Sequence, residues 1–193
     1  MKYDNCFNEN VPASIRYPAM RDALNATGRP IFYSICNWGE EDTTHWAPEV
    51  GNSWRTTQDI FDGWSSLEFN FHYNARSGEV AGPGGWNDPD MLEVGNGGLT
   101  LDEEQTHFAL WSVSKAPLII GCDLTTVSKE SLAILTNQEI IAINQDPGSK
   151  QARCFIGCGW WSRFIRSPSV WVTTLSSGEV VATVVNWREV PYH

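Results

Sequence analysis

Two pairs of oppositely charged side chains are the groups in this chain most able to do chemistry together. Lys2 lies two residues before Asp4, and Arg55 lies four residues before Asp59. Hydrolysis of a glycosidic bond needs two carboxyl groups, one as nucleophile or base and one as general acid. A cation beside Asp4 favours the ionised form that a nucleophile requires. Asp59 as an acid would need a raised pKa, which a neighbouring Arg55 opposes.

A structural explanation of the same residues remains open. Asp4 could cap a loop, and Arg55 with Asp59 could form an ion pair on a helix surface, since their spacing brings them together on a helix. Neither pair by itself separates the structural from the catalytic interpretation.

A third candidate is the segment Gly82-Pro-Gly-Gly-Trp-Asn-Asp-Pro-Asp-Met91. Its glycines and prolines give the backbone a defined path rather than mere flexibility. The indole of Trp86 could cover the C–H face of a sugar, while Asp88 and Asp90 accept hydrogen bonds from its hydroxyl groups. A surface turn with solvated acids is the alternative interpretation.

Short apolar strands alternating with helices must position these groups. We predict strands ending at Asp4 and over 31–36, 52–55 and 116–121, and helices over 14–26, 46–50, 58–67, 101–115, 129–135 and 139–143; residues 70–81 are polar and are predicted to be irregular. Such alternation is typical of parallel βα units. Because the carboxyl ends of parallel strands share one face, the candidates that follow these strands are expected to gather there.

The character of the chain changes from about Cys154. Segments 169–175 and 179–186 are rich in Val and Thr and flank Ser-Ser-Gly178, which predicts an antiparallel hairpin. We therefore divide the chain into an α/β unit over residues 1–150 and the beginning of an antiparallel β domain over residues 151–193.

Composition excludes several classes of partner. The 193 residues carry 13 Lys and Arg against 23 Asp and Glu, a net charge of −10. Nucleic acids and anionic membranes need basic patches, so neither is expected as a partner. No glycine-rich phosphate loop follows a strand and no His/Cys set has metal-ligand spacing, so no cofactor and no metal are expected. A cation site at Asp88 and Asp90 is a minor alternative.

One cysteine pair and one sequon would matter if the protein enters an oxidising, secretory compartment. Cys154 and Cys158 are close enough in sequence for a local disulfide, whereas the pairing of Cys36 and Cys122 is left open. Asn25-Ala-Thr27 is an acceptor pattern for N-glycosylation, although such triplets also arise by chance.

The succession of motifs resembles the family 27 glycoside hydrolases, in particular their α-galactosidases of fungal and plant type. The matching segments, in the family's order, are Lys2-Tyr-Asp-Asn-Cys6, Cys36-Asn-Trp-Gly39, Asn52-Ser-Trp-Arg-Thr-Thr-Gln-Asp59, Gly82 to Met91 and Ala142-Ile-Asn-Gln-Asp146. The resemblance implies a (β/α)8, or TIM, barrel followed by an antiparallel β domain. This chain would supply about strands 4–8 of the barrel and the start of the β domain.

The resemblance also implies roles for individual residues. Asp4 corresponds to the nucleophile and Asp59 to the general acid/base of a retaining enzyme, whose two carboxyl groups stand about 5–5.5 Å apart. The implied substrate-binding residues are Lys2, Asn37, Trp38, Arg55, Trp86, Asp90 and Met91. Many family members carry Glu at the position of Asn37, where this chain has an amide that can both donate and accept a hydrogen bond.

The function that follows is removal of terminal α-linked galactose from oligosaccharides or galactomannan, in a secreted protein. Alternatives are another specificity of the same family, such as α-N-acetylgalactosaminidase, β-L-arabinopyranosidase or isomalto-dextranase, or a truncated protein that only binds sugar. Because part of a barrel leaves an open sheet edge, we expect the chain alone to be unstable or to associate.

Overall fold

The computed structural model describes residues 1–148, 150–158 and 167–188. Within these residues the chain forms two sheets and a set of helices. The strands are β1 Lys2–Asp4, β2 Ser34–Cys36, β3 Ser53–Arg55, β4 Trp86–Asp88, β5 Arg153–Ile156, β6 Ser169–Thr174 and β7 Val180–Val185. The helices are α1 Ala13–Ala26, α2 Thr43–Trp46, α3 Trp64–Asn74, α4 Leu101–Val113, α5 Lys129–Leu135 and α6 Gln138–Gln145, with short 3₁₀ turns at Ala47–Glu49 and Ala75–Ser77.

Strands β1 to β4 form a parallel sheet in the order in which they occur along the chain. Parallel neighbours need a crossover, and α1 connects β1 to β2 while α3 connects β3 to β4. The predicted parallel βα organisation is therefore confirmed for this part of the chain.

Helix α4 begins where its sequence predicts. Thr100 Oγ1 accepts a hydrogen bond from the backbone N–H of Glu103, and the Glu103 carboxylate accepts one from the Thr100 N–H. This reciprocal capping box satisfies backbone donors that have no partner within the helix. The helix then places Trp111 and His107 inside the core.

The antiparallel sheet has the order β5-β6-β7, and the predicted hairpin is its β6–β7 pair. Its turn contains Gly178 at φ +90°, a conformation that suits glycine. Trp171 of β6 packs edge-on against Phe71 of α3, with ring centroids 4.7 Å apart. The β sheet and the helices of the parallel unit thus share one apolar core. The domain boundary at residue 150 stays a prediction, and 159–166 and 189–193 of the proposed β domain lie outside the described residues.

Two sequence predictions about the middle of the chain are wrong. The helix predicted over 58–67 begins only at Trp64 and continues to Asn74, into the segment predicted to be irregular. Residues before Trp64 form a loop because side chains satisfy its backbone: Asp90 accepts from the N–H of Ile60, and Ser66 accepts from that of Phe61. The ion pair between Arg55 and Asp59 therefore joins the end of strand β3 to the loop that follows it, and it is not a pair on a helix surface.

The strand predictions also need correction at three places. Segment 82–91 is not simply a surface turn, since Trp86–Asp88 within it forms strand β4. Strand β2 covers only Ser34–Cys36 of the predicted 31–36. Segment 116–121 forms an isolated parallel bridge between Ile120 and Leu92 rather than a buried strand, and Ile120 is 42% exposed.

Candidate functional site

One residue from the carboxyl end of each parallel strand forms a row across the sheet. Asp4 of β1 is in register with Cys36 of β2, and Arg55 of β3 is in register with Asp88 of β4. Registered residues of neighbouring strands project to the same face of a sheet. The row therefore brings acidic and basic groups from distant parts of the sequence to one edge, as predicted for a site at the strand ends.

Arg55 is the centre of this site. Its side chain is 1% exposed, and its Nη2 lies 2.6 Å from Oδ2 of Asp90 and 3.2 Å from Oδ1 of Asp59. Nη2 also donates to the carbonyl of Thr57 at 3.2 Å. The Asp59 side chain, by contrast, is 74% exposed. The buried guanidinium thus pairs with two carboxylates, the largely buried Asp90 and the largely exposed Asp59.

Asp90 is held in a conformation that non-glycine residues rarely adopt. Its φ is +89°, a backbone strain that persists only when surrounding contacts enforce it. Asp88 accepts a hydrogen bond from the Asp90 N–H at 2.8 Å, and Trp111 Nε1 donates to the Asp90 carbonyl at 2.7 Å. The Asp90 carboxylate in turn accepts from the N–H of Ile60, the residue after Asp59, at 2.9 Å. These contacts tie the loop that carries Asp59 to strand β4.

Burial changes the acidity of two groups in the row. Desolvation raises the pKa of the fully buried Asp88 to about 6, although Arg55 acts in the opposite direction. Desolvation, with a contribution from Asp4, raises the pKa of the Cys36 thiol to about 12. Cys36 is therefore a neutral thiol at neutral pH, and its Sγ lies 3.8 Å from Nη1 of Arg55.

Lys2 and Asp4 form a half-exposed pair at the open side of the row. The Lys2 Nζ lies 3.5 Å from Asp4 Oδ1, and each side chain is 50% exposed. Burial lowers the pKa of Lys2, the carboxylates of Asp4 and Asp90 act in the opposite direction, and the pKa lies above its ordinary value. Lys2 therefore stays charged at neutral pH and presents a cation to Asp4.

Two other predicted site residues, Asn37 and Trp38, follow directly after strand β2. Asn37 is fully buried, with Nδ2 donating to the Glu40 carbonyl at 2.8 Å and Oδ1 accepting from Thr43 Oγ1 at 2.7 Å. It thus holds the turn after β2, and its contact with a sugar stays a prediction. Trp38 follows in the left-handed region at φ +58° and is partly exposed.

Trp86 and Met91 lie on either side of the row. Trp86 is the first residue of β4, two positions below Asp88, and Lys115 Nζ lies 5.7 Å from the centre of its ring. Met91 is 37% exposed and its N–H donates to the Asp90 carboxylate at 2.9 Å. The sugar-binding roles of both residues remain predictions.

Sequence reasoning missed two residues of the site. The sequence predicts no site role for Cys36, yet strand register places it between Asp4 and Arg55. Its position as the last residue of an apolar strand is the signal that could have found it. Trp111 looked like ordinary core in α4, and nothing in its local sequence indicates a hydrogen bond to Asp90.

The predicted disulfide between Cys154 and Cys158 is present. Cys6, Cys36 and Cys122 are free thiols, with Cys6 exposed and Cys36 buried. Asn25 is exposed at the end of α1. Its glycosylation stays a prediction.

Two further classes of feature are not found in the described ranges. Residues 1–148, 150–158 and 167–188 contain no group of three or more His, Cys, Asp or Glu arranged to hold a metal ion. The helices of these ranges include none with the length and apolar character needed to cross a membrane.

The parallel sheet and the carboxylates at its strand ends define a parallel α/β protein with a carboxylate-based site. A family model described as alpha galactosidase A (Melibiase_2) matches residues 1–146. The chain belongs to this family, and its resemblance to the family 27 glycoside hydrolases is confirmed.

Named relatives agree with this assignment. Alpha-galactosidase 3 of Arabidopsis thaliana is 59% identical over 153 residues, which cover 79% of this chain and 35% of the relative. The alpha-galactosidase of Coffea arabica is 46% identical over 194 residues, covering 98% of this chain and 51% of the relative. The chain thus spans about a third to a half of the length of these relatives.

Solved structures of the family have the same fold over most of this chain. Alpha-galactosidase I from Mortierella vinacea matches with a TM-score of 0.84 at 31% identity, covering 96% of this chain and 51% of that one. The alpha-galactosidase from Saccharomyces cerevisiae with raffinose matches with a TM-score of 0.81 at 34% identity, covering 96% and 48%.

Proposed function

We propose that this chain forms part of a retaining glycosidase that releases terminal α-linked galactose. The observation that carries the proposal is the presence of two cation-linked carboxylates at the strand ends of one parallel sheet: Lys2–Asp4 on β1, and Asp59 in the loop after β3 with Arg55 at the end of that strand. Relatives at up to 59% identity are named alpha-galactosidases, and a neighbouring structure contains raffinose, which supports a galactoside as substrate.

The two carboxylates divide the chemistry between them. The ionised Asp4 attacks the anomeric carbon, while Asp59 donates its proton to the leaving oxygen, so that the glycosidic bond breaks and a glycosyl-enzyme ester forms. Asp59 then takes a proton from water as that water attacks the ester, which releases galactose and restores Asp4. Exposure of Asp59 allows proton exchange with solvent, while Arg55 fixes its position.

The fold proposed for the complete site is a (β/α)8 barrel. Strands β1 to β4 are then barrel strands four to seven, the bridge at Ile120 marks the eighth, and β5 to β7 begin the antiparallel β domain. A secreted location accords with the disulfide between Cys154 and Cys158.

A chimera tests the catalytic assignment despite the partial length of the chain. Residues 1–146 would replace the matching segment of the Arabidopsis alpha-galactosidase 3, and hydrolysis of 4-nitrophenyl α-D-galactopyranoside would be measured. Asp59→Asn should lower kcat by about 10²–10⁴-fold, the usual size of general acid–base catalysis. Asp4→Asn should abolish turnover, whereas Asp22→Asn, a surface carboxylate on α1, should leave it unchanged.

A substrate with a better leaving group distinguishes the acid/base role of Asp59 from the nucleophilic role of Asp4. A 2,4-dinitrophenyl galactoside needs little protonation on departure, so it should restore the first step in Asp59→Asn and not in Asp4→Asn. Equal losses of both variants on both substrates would refute the assignment. Faster turnover of β-L-arabinopyranosides or α-N-acetylgalactosaminides than of α-galactosides would instead favour another specificity of the family.

A further inference from the structure

The loop between β4 and α4 contains the pair Asn96-Gly97, and no other asparagine among the 193 residues is followed by glycine. In spontaneous deamidation the backbone nitrogen of the following residue attacks the side-chain carbonyl carbon of the asparagine. A side chain on the following residue hinders this attack, whereas glycine has none and permits the backbone conformations that ring closure requires. Both Asn96 and Gly97 are exposed to solvent, so water also reaches the pair.

The attacking nitrogen is free, whereas the backbone nitrogens on either side of it are bonded. The Asn96 N–H donates to the carbonyl of Glu93 at 3.2 Å, and the Gly98 N–H donates to Oδ2 of Asp62 at 2.6 Å. Among the described residues, none accepts a hydrogen bond from the Gly97 N–H. Deprotonation of the Gly97 nitrogen therefore breaks no hydrogen bond of the fold.

The space around Gly97 is open as well. Its φ is +100°, and a Cβ added there would meet no heavy atom within 4 Å. The next residue differs, because a Cβ on Gly98 would lie 2.5 Å from the carbonyl oxygen of Asp62. A ring between Asn96 and Gly97, and the water that opens it, therefore find room on this side of the loop.

The amide of Asn96 is the neutral donor in a cluster of acidic groups. Its Nδ2 donates to Oε2 of Glu93 at 2.5 Å, and Glu93 is only 4% exposed. Burial raises the pKa of Glu93, the hydrogen bond from Asn96 lowers it, and the carboxylates of Asp62 and Asp90 raise it, so that it lies above its ordinary value. A further negative charge at this position would be unfavourable.

We propose that Asn96 is a site of spontaneous deamidation in the folded chain, and that the carboxylate formed there weakens the packing around Asp90. The Gly97 nitrogen gives its proton to a solvent base and forms a bond to Cγ of Asn96. The bond from Cγ to Nδ2 breaks, and Nδ2 leaves as ammonia with a proton from water, so that a succinimide remains. One water molecule then opens the ring at either carbonyl and yields aspartate or isoaspartate.

Deamidation replaces the donor that faces Glu93 by a carboxylate. One hydrogen bond is lost, and two like charges are brought together. Glu93 lies three residues after Asp90, and its N–H donates to Nε2 of His107 at 2.9 Å. Because Asp90 has a strained φ of +89°, its conformation depends on the contacts of this segment. The modification therefore acts on a residue of the candidate site, whether or not the chain hydrolyses galactosides.

Mass spectrometry of the full 193-residue chain tests the modification. The chain is incubated in a mildly alkaline buffer in which circular dichroism shows it to be folded, and it is then digested with trypsin. Peptide 77–115 contains both Asn96 and the fully buried Asn87, which is the internal control. We expect Asn96 to convert at least about tenfold faster than Asn87, which is followed by Asp88 rather than glycine.

The products identify the route. In water enriched in the heavy oxygen isotope, each converted chain should gain one labelled oxygen, and isoaspartate should form besides aspartate. Asn96→Gln should show no conversion at this position, because its longer side chain disfavours the five-membered ring.

Comparison with the chain unfolded in urea tests the contribution of the fold. Since the loop leaves the Gly97 nitrogen free, conversion in the folded chain should be within about tenfold of the rate in urea. The same peptide can be followed in the chimera described above, which keeps the comparison valid if the isolated chain is only partly folded.

Asn96→Asp reproduces one product and tests its effect on the fold. Its equilibrium constant for unfolding should rise about tenfold, because a hydrogen bond to a charged group is lost. Asn10→Asp makes the same change of charge at an exposed position in the loop after β1, and it should alter this constant less than about twofold. Urea denaturation measures both, and the deamidated fraction of an aged wild-type chain should resemble Asn96→Asp.

Three results would overturn the proposal. Conversion of Asn96 in urea but not in the folded chain would show that the fold protects the amide. Conversion without isoaspartate would exclude the succinimide route. Equal stabilities of Asn96→Asp and Asn10→Asp would remove the effect on packing. None of these results bears on the galactosidase assignment, which the chimera assay decides separately.

Discussion

The Nη2 atom of Arg55 lies 2.6 Å from Oδ2 of Asp90, although the two residues belong to different strand ends of the parallel sheet. The guanidinium is almost completely buried, and the Asp90 side chain is 15% exposed. The same Arg55 nitrogen contacts Asp59. Asp90 also binds the N–H of Ile60, so this ion pair determines where the loop carrying Asp59 leaves the sheet.

Replacement of Arg55 by Met should destabilise the chain. The variant leaves Asp90 without its cation in a largely buried position, and breaking such a pair costs about 3 kcal/mol. Arg153 provides a matched control, because its pair with Glu79 is 63% and 69% exposed. Arg153→Met should cost less than about 1 kcal/mol. Urea denaturation measures both, and similar costs would contradict the central role of the Arg55 pair.

Asp88 should make stability fall as the pH rises. Desolvation raises its pKa to about 6 in the folded chain, against about 3.9 when unfolded. The folded state therefore holds the proton more tightly, so this contribution is complete below about pH 4 and is lost as the pH rises through about 6. Asp88→Asn keeps an oxygen that can accept from the Asp90 N–H and should remove the dependence, a difference of about 3 kcal/mol across the window.

Denaturation of Asp88→Asn and the wild-type chain at pH 4, 5, 6 and 7 provides the measurement. Asp102→Asn, an exposed carboxylate on α4, controls for the general effect of removing one negative charge. Parallel pH profiles for wild type and Asp88→Asn would show that Asp88 does not titrate in this window.

His107 should make the stability of the chain fall as the pH falls. It is fully buried, and desolvation lowers its pKa to about 3, while its Nε2 accepts a hydrogen bond from the Glu93 N–H at 2.9 Å. The unfolded chain binds a proton near pH 6.5. The stability that depends on neutral His107 is therefore present above about pH 6.5 and is lost as the pH falls towards 3.

His107→Gln can retain a neutral acceptor for the Glu93 N–H, so its stability should fall less steeply below about pH 6.5 than that of the wild-type chain. His45→Gln, at a largely exposed position on α2, is the control and should follow the wild-type profile. The expectation fails if wild type and His107→Gln lose stability equally between pH 6.5 and 4.

Asn25 should be glycosylated when the chain passes through a eukaryotic secretory pathway. Its side chain is exposed at the end of α1, and Thr27 supplies the third position of the sequon. Treatment with a peptide-N-glycosidase should then increase electrophoretic mobility, and Asn25→Gln should abolish that shift. Asn10→Gln, at an exposed position outside any sequon, should retain it. An unshifted wild-type band would show that the triplet is not used.

The motifs around Asp4, Arg55 and Asp59 determined the family of this protein, and with it the expected chemistry. Short apolar runs alternating with helical segments also predicted most strands and helices, because this alternation is a local property of the sequence. Helix α4 and the β6–β7 hairpin were predictable because a capping box and a glycine turn are encoded by adjacent residues.

Tertiary structure decided what joins these segments. The helix predicted over residues 58–67 fails because Asp90, some thirty residues later, supplies the acceptor for the Ile60 N–H. Cys36 enters the site through strand register, and Trp111 through a hydrogen bond to the Asp90 carbonyl. Local sequence encodes propensity and motif, whereas register and long-range hydrogen bonds are set only when distant segments pack, so the positioning of Asp59 by Asp90 became visible only in the fold.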